Sequence, residues 1–331
     1  MSFPHGGNIL AVCRQRGWNP AEVLDFSASI NPLGLSPKAR RAIEQAVDRV
    51  VYYPEPYGDS LAEVLAEEWN ISPAQILLGN GATELIYFLS RVWRQMPVTL
   101  AIPVFTEFHR AFPHAKLVPF REPGRLPLRG LLVLSQPNNP TGELLLPSTS
   151  LRRPGITLVD ESFLDFSETP SLLGASPNLL VLRSLTKFYA LPGLRLGALI
   201  GPESLICTLR RQREPWQVNT LAAAAAVEAV RDRAHAERSR TLVATERERI
   251  WDRAQELPGV MLTETHANFF FAQLDYPSRA LCDFLLERKI LIRDCAGWPG
   301  VPGDAVRFAI RTPEENDRLI AAWKEFRWPP A

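Results

Sequence analysis

The stretch Arg183-Ser184-Leu185-Thr186-Lys187-Phe188 directly follows a continuous apolar run, residues 179–182, of the kind that forms a strand buried on both faces of a sheet. A lysine just after such a strand is expected at the edge of the sheet, where open α/β folds bind their ligands. An amine that is partly desolvated and near another cation loses its proton more readily, and it can then form a Schiff base with a carbonyl group. A single lysine in a loop is more often solvated, so the interpretation of Lys187 depends on the rest of the chain.

Length and composition describe an ordinary globular protein. A chain of 331 residues suggests about two domains, and 46% hydrophobic residues allow a sizeable core. The net charge of +1 gives no reason to expect a nucleic acid or an anionic membrane as a partner. Any affinity for an acidic ligand must therefore come from locally placed residues.

The four cysteines are scattered along the chain, without a C-x-x-C pair or a histidine at metal-ligand spacing. Free thiols are typical of a reducing cytosol. The first residues lack the charged start and apolar core of a signal peptide, and no apolar run approaches the ~18 residues of a membrane span. We therefore expect a cytoplasmic protein without a metal site.

Apolar runs alternate with helical patterns from about residue 75 to residue 200, which predicts a mostly parallel sheet in an α/β domain. Strands are predicted at residues 75–78, 98–102, 117–120, 131–134, 156–159, 179–182 and 196–200. Two linkers, 121–129 and 146–154, are short and proline-rich where a crossover helix would usually lie, so the core is expected to be trimmed there.

The C-terminal third has a different pattern. One long helix is predicted from residue 219 to about residue 257, and short strands and helices follow it. The sequence thus predicts an N-terminal arm over residues 1–35, a large domain over 36–219 and a smaller α+β domain over 220–331.

Polar residues follow several of the predicted strands. The loop Gly79-Asn80-Gly81-Ala82-Thr83-Glu84 connects a strand to a helix, where backbone N–H groups and the helix dipole favour a phosphate. Asn139 lies in a turn after another strand, and Asp160 ends the next one, at the same sheet edge as Lys187. A carboxylate beside a pyridine nitrogen keeps that nitrogen protonated, which makes the ring an electron sink. Each motif alone also fits a plain turn or a helix cap, and their combination indicates a cofactor site.

Taken together, the motifs resemble those of the fold-type-I pyridoxal-phosphate enzymes of the class I/II aminotransferase superfamily, over essentially the whole chain. The chain is most similar to the branch with the histidinol-phosphate aminotransferases and the threonine-phosphate decarboxylases of cobalamin biosynthesis. The segments that carry the resemblance are His5-Gly6-Gly7-Asn8, Asp25-Phe26-Ser27-Ala28-Ser29-Ile30-Asn31-Pro32-Leu33-Gly34, Leu182-Arg183-Ser184-Leu185-Thr186-Lys187-Phe188-Tyr189, Pro192-Gly193-Leu194-Arg195-Leu196-Gly197 and Ile290-Leu291-Ile292-Arg293-Asp294-Cys295. The resemblance implies an aspartate-aminotransferase-like α/β fold with a mostly parallel seven-stranded sheet, a pyridoxal 5'-phosphate cofactor and a homodimer.

The resemblance also implies a role for each cofactor-binding residue. Lys187 would form the Schiff base with the cofactor, and Asp160 would pair with the pyridine nitrogen. Asn139 would donate a hydrogen bond to the 3′ oxygen of the ring, and Phe105 would stack on the ring face. The cofactor phosphate would be bound by Gly81, Ala82, Thr83, Ser184, Thr186 and Arg195. Tyr53 would reach the same phosphate from the other subunit of a dimer.

A substrate pocket follows from the same resemblance. Arg307 would hold the carboxylate or phosphate of the substrate with its bidentate fork. The pocket would be completed by His5, Asn31, Arg293 and Arg311. Phe163 stands where histidinol-phosphate aminotransferases usually carry a tyrosine, and Arg311 beside Arg307 suits a doubly anionic substrate.

Two enzymatic functions stay open at this point. The features above favour decarboxylation of L-threonine O-3-phosphate, or of a close phospho-amino acid, and the alternative is transamination of histidinol phosphate at the same site. A third possibility, from another class, is a non-catalytic regulator. Regulators with this fold usually carry a DNA-binding module, for which this chain has neither spare length nor a basic segment.

Overall fold

The N-terminal arm joins the C-terminal part of the chain. The computed structural model describes residues 6–144 and 153–328, in which the arm forms a helix, α1 (Ile9–Arg16), and a two-residue strand, β1 (Leu24–Asp25). Phe26, which follows this strand, is buried in one apolar cluster with Phe308 and Trp323. The arm is thus part of the core that the end of the chain forms.

Within the described ranges, seven strands form the central sheet. They are β2 (Ile76–Gly79), β3 (Val98–Ile102), β4 (Lys116–Pro119), β5 (Leu131–Ser135), β6 (Ile156–Asp160), β7 (Leu179–Ser184) and β8 (Gly197–Ile200). Their order is β2-β8-β7-β6-β5-β3-β4; β8 runs antiparallel to both neighbours and the other pairs are parallel. The predicted mostly parallel seven-stranded sheet is confirmed. Its apolar runs form strands because both sheet faces are covered.

Helices cover this sheet. They are α2 (Pro37–Ala46), α3 (Asp59–Trp69), α4 (Ala82–Val92), α5 (Thr106–Ala111), α6 (Glu203–Arg210) and α7 (Thr220–Arg231). Two of them begin with a side-chain cap: Ser36 accepts a hydrogen bond from the N–H of Ala39, and Asn219 accepts one from the N–H of Ala222. Such caps satisfy N–H groups that have no partner inside the helix, so they set where the helix begins.

The single helix expected from residue 219 to about residue 257 is two helices, α7 and α8 (Arg233–Ala254). They separate at Asp232, whose backbone leaves the helical conformation with a ψ of 65°. Helix α7 packs its alanines, including Ala222 and Ala226, into the cluster that contains Ala39 and Leu61 of the large domain. The predicted domain boundary at residue 220 stays a prediction, and this packing favours a boundary near residue 232.

The C-terminal part is built on a second, smaller sheet. After α8 come β9 (Val260–Leu262), β10 (Phe269–Leu274), α9 (Ser278–Glu287), β11 (Ile290–Leu291), β12 (Arg293–Asp294), β13 (Asp304–Ala309) and α10 (Pro313–Glu325). In the described residues the sheet is antiparallel, in the order β12-β13-β10-β9, and β11 pairs in parallel with β1. This is the smaller α+β unit that the sequence predicts.

The structure describes the first of the two proline-rich linkers in full and only the end of the second. Between β4 and β5, a stretch that is described in full, the chain makes a single 3-10 turn, Pro123–Arg125, and no crossover helix. Most of the second linker, residues 146–152, lies outside the described residues. For the described part of the chain, no helix combines the length and apolar character that a membrane span requires.

Candidate active site

A cavity of about 350 Å³ lies at the edge of the large sheet, where that sheet meets the arm and the C-terminal part. The residues predicted from the sequence that line it are Ala82, Thr83, Phe105, Asn139, Asp160, Ser184, Thr186, Lys187, Arg195, Arg293 and Arg307. The strands β5, β6 and β7 are parallel neighbours, so the loops after them meet at one sheet edge. This topology brings together residues that are far apart in the chain.

Lys187 lies half-buried in the wall of the cavity. Burial lowers the pKa of its amine to about 8, the cations Arg307 and Arg195 act in the same direction, and Asp160 opposes them. Its loop is held by Asn31, whose backbone N–H donates to the carbonyl oxygen of Lys187 at 3.1 Å. A neutral amine is therefore accessible near neutral pH in a fixed position.

Asp160 faces the same cavity from the end of β6. Burial raises the pKa of its carboxyl group, while hydrogen bonds from Ser162 and the charge of Lys187 lower it. The N–H and the hydroxyl of Ser162 both donate to Oδ1 of Asp160. This arrangement leaves Oδ2 as the oxygen that can accept a hydrogen bond from a ligand.

Donors for an anion gather where β2 and β8 pair. Gly81 has a φ of 86°, and a Cβ atom at this position would lie 2.4 Å from the guanidinium of Arg195. Only glycine permits both the backbone conformation and this close approach. On the same cavity wall, the hydroxyls of Ser184 and Thr186 lie 2.7 Å apart, and α4 begins at Ala82. A guanidinium, two hydroxyls and a helix N-terminus are suitable donors for a phosphate.

Two buried arginines face the cavity from the C-terminal part. Arg307 in β13 donates to Oδ1 of Asn139 at 2.6 Å and to the carbonyl oxygen of Ser27 at 3.2 Å. Arg293 in β12 stacks on Trp298, with its guanidinium carbon 5.0 Å from the ring centre. Burial lowers the pKa of both guanidinium groups, to about 10 for Arg307. Neither forms an ion pair with a carboxylate of the described residues, so both can receive an acidic group of a ligand.

The structure does not bring Asn31 and Arg311 to the cavity, which corrects the pocket expected from the sequence. The side-chain amide of Asn31 donates to the carbonyl oxygen of Phe188 and to the hydroxyl of Ser239, so it supports the Lys187 loop from behind. Arg311 lies beyond β13, and its Nε and Nη2 donate to the two carboxylate oxygens of Glu315 at 3.0 and 2.8 Å. Both side chains are occupied by contacts within the fold.

Two further predicted residues lie elsewhere. Tyr53 is 83% exposed and lines a different groove of about 630 Å³, between α2, α7 and the chain before α3. His5 lies outside the described residues, although Gly6, which follows it, lines the cavity.

The cavity also has lining residues that the sequence interpretation missed. Ser29 is buried there, and its hydroxyl has no hydrogen-bond partner among the described residues. Glu107 accepts a hydrogen bond from the hydroxyl of Tyr87 at 2.8 Å, and Trp298 forms part of the wall beside Arg293. Ser29 belongs to the same sequence motif as Asn31, and it is the side chain of Ser29 that lines the cavity. No sequence pattern marks Trp298.

A family model described as aminotransferase class I and II matches residues 21–322. The chain belongs to this family. The predicted family and the predicted class of enzyme are therefore confirmed, since class I and II aminotransferases and their decarboxylase relatives depend on pyridoxal phosphate. The seven-stranded sheet with its flanking helices is the fold of these enzymes.

Individual class I and II aminotransferase relatives point to one branch. The chain is 35% identical to a threonine-phosphate decarboxylase of Salmonella typhimurium, covering 96% of this chain and 95% of that protein. It is 32% identical to a histidinol-phosphate aminotransferase of Symbiobacterium thermophilum, over 94% and 92% of the two chains. The structure of L-threonine-O-3-phosphate decarboxylase from Porphyromonas gingivalis is similar, with a TM-score of 0.82, 25% identity and coverage of 91% of this chain and 98% of that one.

Proposed function

We propose that the cavity binds pyridoxal 5'-phosphate and that the enzyme decarboxylates L-threonine O-3-phosphate, or a close phospho-amino acid. The observation that carries this proposal is the pair of buried arginines on the cavity wall, Arg293 and Arg307, without carboxylate partners in the described residues. A phospho-amino acid has two acidic groups, and each arginine offers the planar fork of donors that such groups prefer. The 35% identity to the Salmonella decarboxylase supports the same assignment.

The residues around the cavity fit the cofactor. Its phosphate would be held by Arg195, Ser184, Thr186 and the N-terminus of α4, where the missing Cβ atom of Gly81 lets the guanidinium of Arg195 approach the loop closely. The carboxylate of Asp160 would keep the pyridine nitrogen protonated, Asn139 would donate to the 3′ oxygen, and Phe105 would cover the ring. When bound, the cofactor withdraws the electron pair that remains on Cα after bond cleavage.

Lys187 has two tasks in the proposed reaction. Since its pKa is lowered to about 8, a sizeable fraction of its amine is neutral near neutral pH and can act as a nucleophile. Arg307 and Arg293 hold the carboxylate and the phosphate of the substrate, and they orient the bond between Cα and the carboxylate for cleavage. After CO₂ has left, Nζ of Lys187 returns a proton to Cα as a general acid.

Incubation of the purified enzyme with L-threonine O-3-phosphate tests this function. We expect one CO₂ for each substrate molecule consumed, without any requirement for 2-oxoglutarate, and an amino-alcohol phosphate as the product. Conversion of the cofactor to its amine form without release of CO₂ would contradict decarboxylation. It would instead favour the second candidate, a histidinol-phosphate aminotransferase, which the 32% identity to such an enzyme supports.

We further propose that the enzyme is a cytoplasmic homodimer in which Tyr53 completes the site of the other subunit. Tyr53 lies on an exposed apolar surface together with Val50, Val51, Tyr52 and Trp216, and its ring is 5.1 Å from that of Trp216. An apolar surface of this kind is typical of a subunit interface.

Subunit mixing tests the proposed dimer. Lys187→Ala and Tyr53→Ala are each expected to be inactive or weak alone. If Tyr53 serves the other subunit, a refolded equal mixture recovers about a quarter of the wild-type activity, because half of the dimers then hold one intact site of two. A mixture that stays inactive although tagged subunits exchange would exclude a shared site, and light scattering at the monomer mass would exclude the dimer.

A further inference from the structure

A buried ion pair lies behind the glycine loop, outside the residues that line the cavity. The two terminal nitrogens of Arg213 donate to the two carboxylate oxygens of Glu84, each at 2.5 Å. A third hydrogen bond from Arg213 goes to the carbonyl oxygen of Leu78, and its guanidinium lies over the ring of Phe88 at 4.8 Å. The side chain of Arg213 is only 1% exposed, whereas that of Glu84 is 25% exposed.

Glu84 occupies a special position, the first turn of α4. A carboxylate in a first turn is attracted by the helix dipole and tends to turn back to the unpaired N–H groups at the start of its helix. Here Oε2 accepts instead from the N–H of Asn80, at 3.3 Å, just before the cap residue Gly81. The carboxylate therefore stays on the outer side of the loop.

The unpaired N–H groups at the start of α4 are also the groups that would bind a phosphate. A carboxylate that folded onto them would occupy the phosphate site, and even in its present place an unneutralised charge would repel a dianion. Arg213 removes both effects, since it holds the carboxylate at both oxygens and compensates its charge.

We propose that Arg213 is a positioning residue which, by holding and neutralising the carboxylate of Glu84, keeps the N-terminus of α4 available to the cofactor phosphate. Arg213 acts through Glu84 and has no contact with the cofactor itself. This inference rests on the proposed function in one respect, namely that pyridoxal 5'-phosphate is the ligand of the cavity.

The experiment compares two ligands that differ only in the phosphate. The apo-enzyme is titrated with pyridoxal 5'-phosphate and with pyridoxal, and binding is followed by the quenching of tryptophan fluorescence. The measured quantity is the ratio of the two dissociation constants. A variant that only destabilises the fold weakens the binding of both ligands equally. A charge near the phosphate weakens the binding of the phosphorylated ligand alone and therefore changes the ratio.

For Arg213→Gln we expect the preference for the phosphorylated ligand to fall by about tenfold, the effect of one uncompensated charge at several ångströms in a partly screened site. In the double variant Arg213→Gln/Glu84→Gln the charge is absent, and the preference is expected to return to within about threefold of wild type. Glu84→Gln alone leaves the charge of Arg213 uncompensated, so its preference for the phosphorylated ligand is expected to be at least that of wild type.

Arg249 offers a matched control. It also donates to both carboxylate oxygens of a glutamate, Glu246 in α8, and it has a second ion pair with Asp317. These residues are far from the loop in the chain, so Arg249→Gln is expected to leave the ratio unchanged. If Arg213→Gln does not fold, Arg213→Lys keeps the charge but not the fork, and a fall of about threefold is expected.

The outcomes separate the inference from the proposed function. If the wild-type enzyme does not prefer the phosphorylated ligand, the proposed cofactor is wrong. If wild type prefers the phosphorylated ligand and Arg213→Gln keeps this preference within twofold, the inference on Arg213 is overturned while the cofactor assignment stands. The same holds if the double variant loses as much of the preference as Arg213→Gln does.

Discussion

Arg307 lies in β13 and Arg311 lies two residues beyond the end of this strand, but the two side chains differ in burial and in their partners. Arg307 is buried at the cavity without a carboxylate of the described residues, and burial lowers its pKa to about 10. Arg311 is partly exposed and is held by both oxygens of Glu315. The comparison teaches that an arginine is available to a ligand when the fold supplies no carboxylate for it. Arg293 is a second such arginine, and Lys187 is a half-buried cation that likewise has no ion pair among the described residues.

The largest effect on activity is expected at Lys187, whose amine lies near the cations Arg307 and Arg195. Lys187→Ala removes both the nucleophile and the proton donor, so kcat should fall by at least about 10³-fold. Borohydride reduction followed by mass spectrometry should also lose the cofactor adduct on residue 187. A covalent adduct that persists in this variant would place the reactive amine elsewhere.

Arg307→Lys tests the unpaired arginine directly. Lysine keeps the charge but not the fork, so KM for L-threonine O-3-phosphate should rise by about 10- to 100-fold, the range of a charged hydrogen bond of about 1.5–3 kcal/mol. Steady-state kinetics measures this effect. An unchanged KM would move the substrate anchor to Arg293 alone.

The desolvated amine of Lys187, which has no ion pair among the described residues, should also destabilise the apo-protein. The pKa of Lys187 is about 8 in the folded protein and near its ordinary value of 10.5 in the unfolded chain, so the unfolded state binds more protons between these values. Stability therefore rises with pH through this window. Lys187→Met, of similar volume, should be more stable than wild type at pH 7, and the difference should shrink towards pH 10 in urea unfolding. A difference that is constant with pH would contradict the shifted pKa.

The smallest effect on KM is expected at Arg311, the arginine that is paired with Glu315. Arg311→Lys should change KM by less than about threefold, because the side chain does not line the cavity. Its pair with Glu315 is partly exposed, so the loss of stability should be at most about 1 kcal/mol. A large increase in KM with unchanged stability would show that Arg311 binds the substrate, as Arg307 is proposed to do.

The part of the site on the large sheet could be predicted from the sequence. Asn139, Asp160 and Lys187 each follow a strand of a parallel sheet, and parallel strands bring their C-terminal ends to one edge whatever the details of packing. The apolar runs identified those strands, so the convergence of the three residues follows from topology alone. The central sheet was predictable for the same reason.

The substrate side could not be predicted in the same way. Asn31 and Ser29 lie in one irregular segment, where the direction of a side chain depends on the local backbone and not on a period. The pairing of Arg311 with Glu315 depends on the helix that begins after it, and no pattern in the strand before it shows this pairing. The break of the long helix at Asp232 likewise left no proline or glycine in the sequence to mark it.

The antiparallel strand β8 has a consequence for how the enzyme is made. Gly197 in β8 pairs with both Gly79 in β2 and Ser184 in β7, so the donors around Gly81 meet those after β7 only once β8 has inserted between the two strands. The glycine loop leaves the ribosome long before β8 is synthesised, and such distant pairings form slowly. During synthesis, the nascent chain would therefore have no complete phosphate site, and the proposed cofactor would bind only after the sheet has closed.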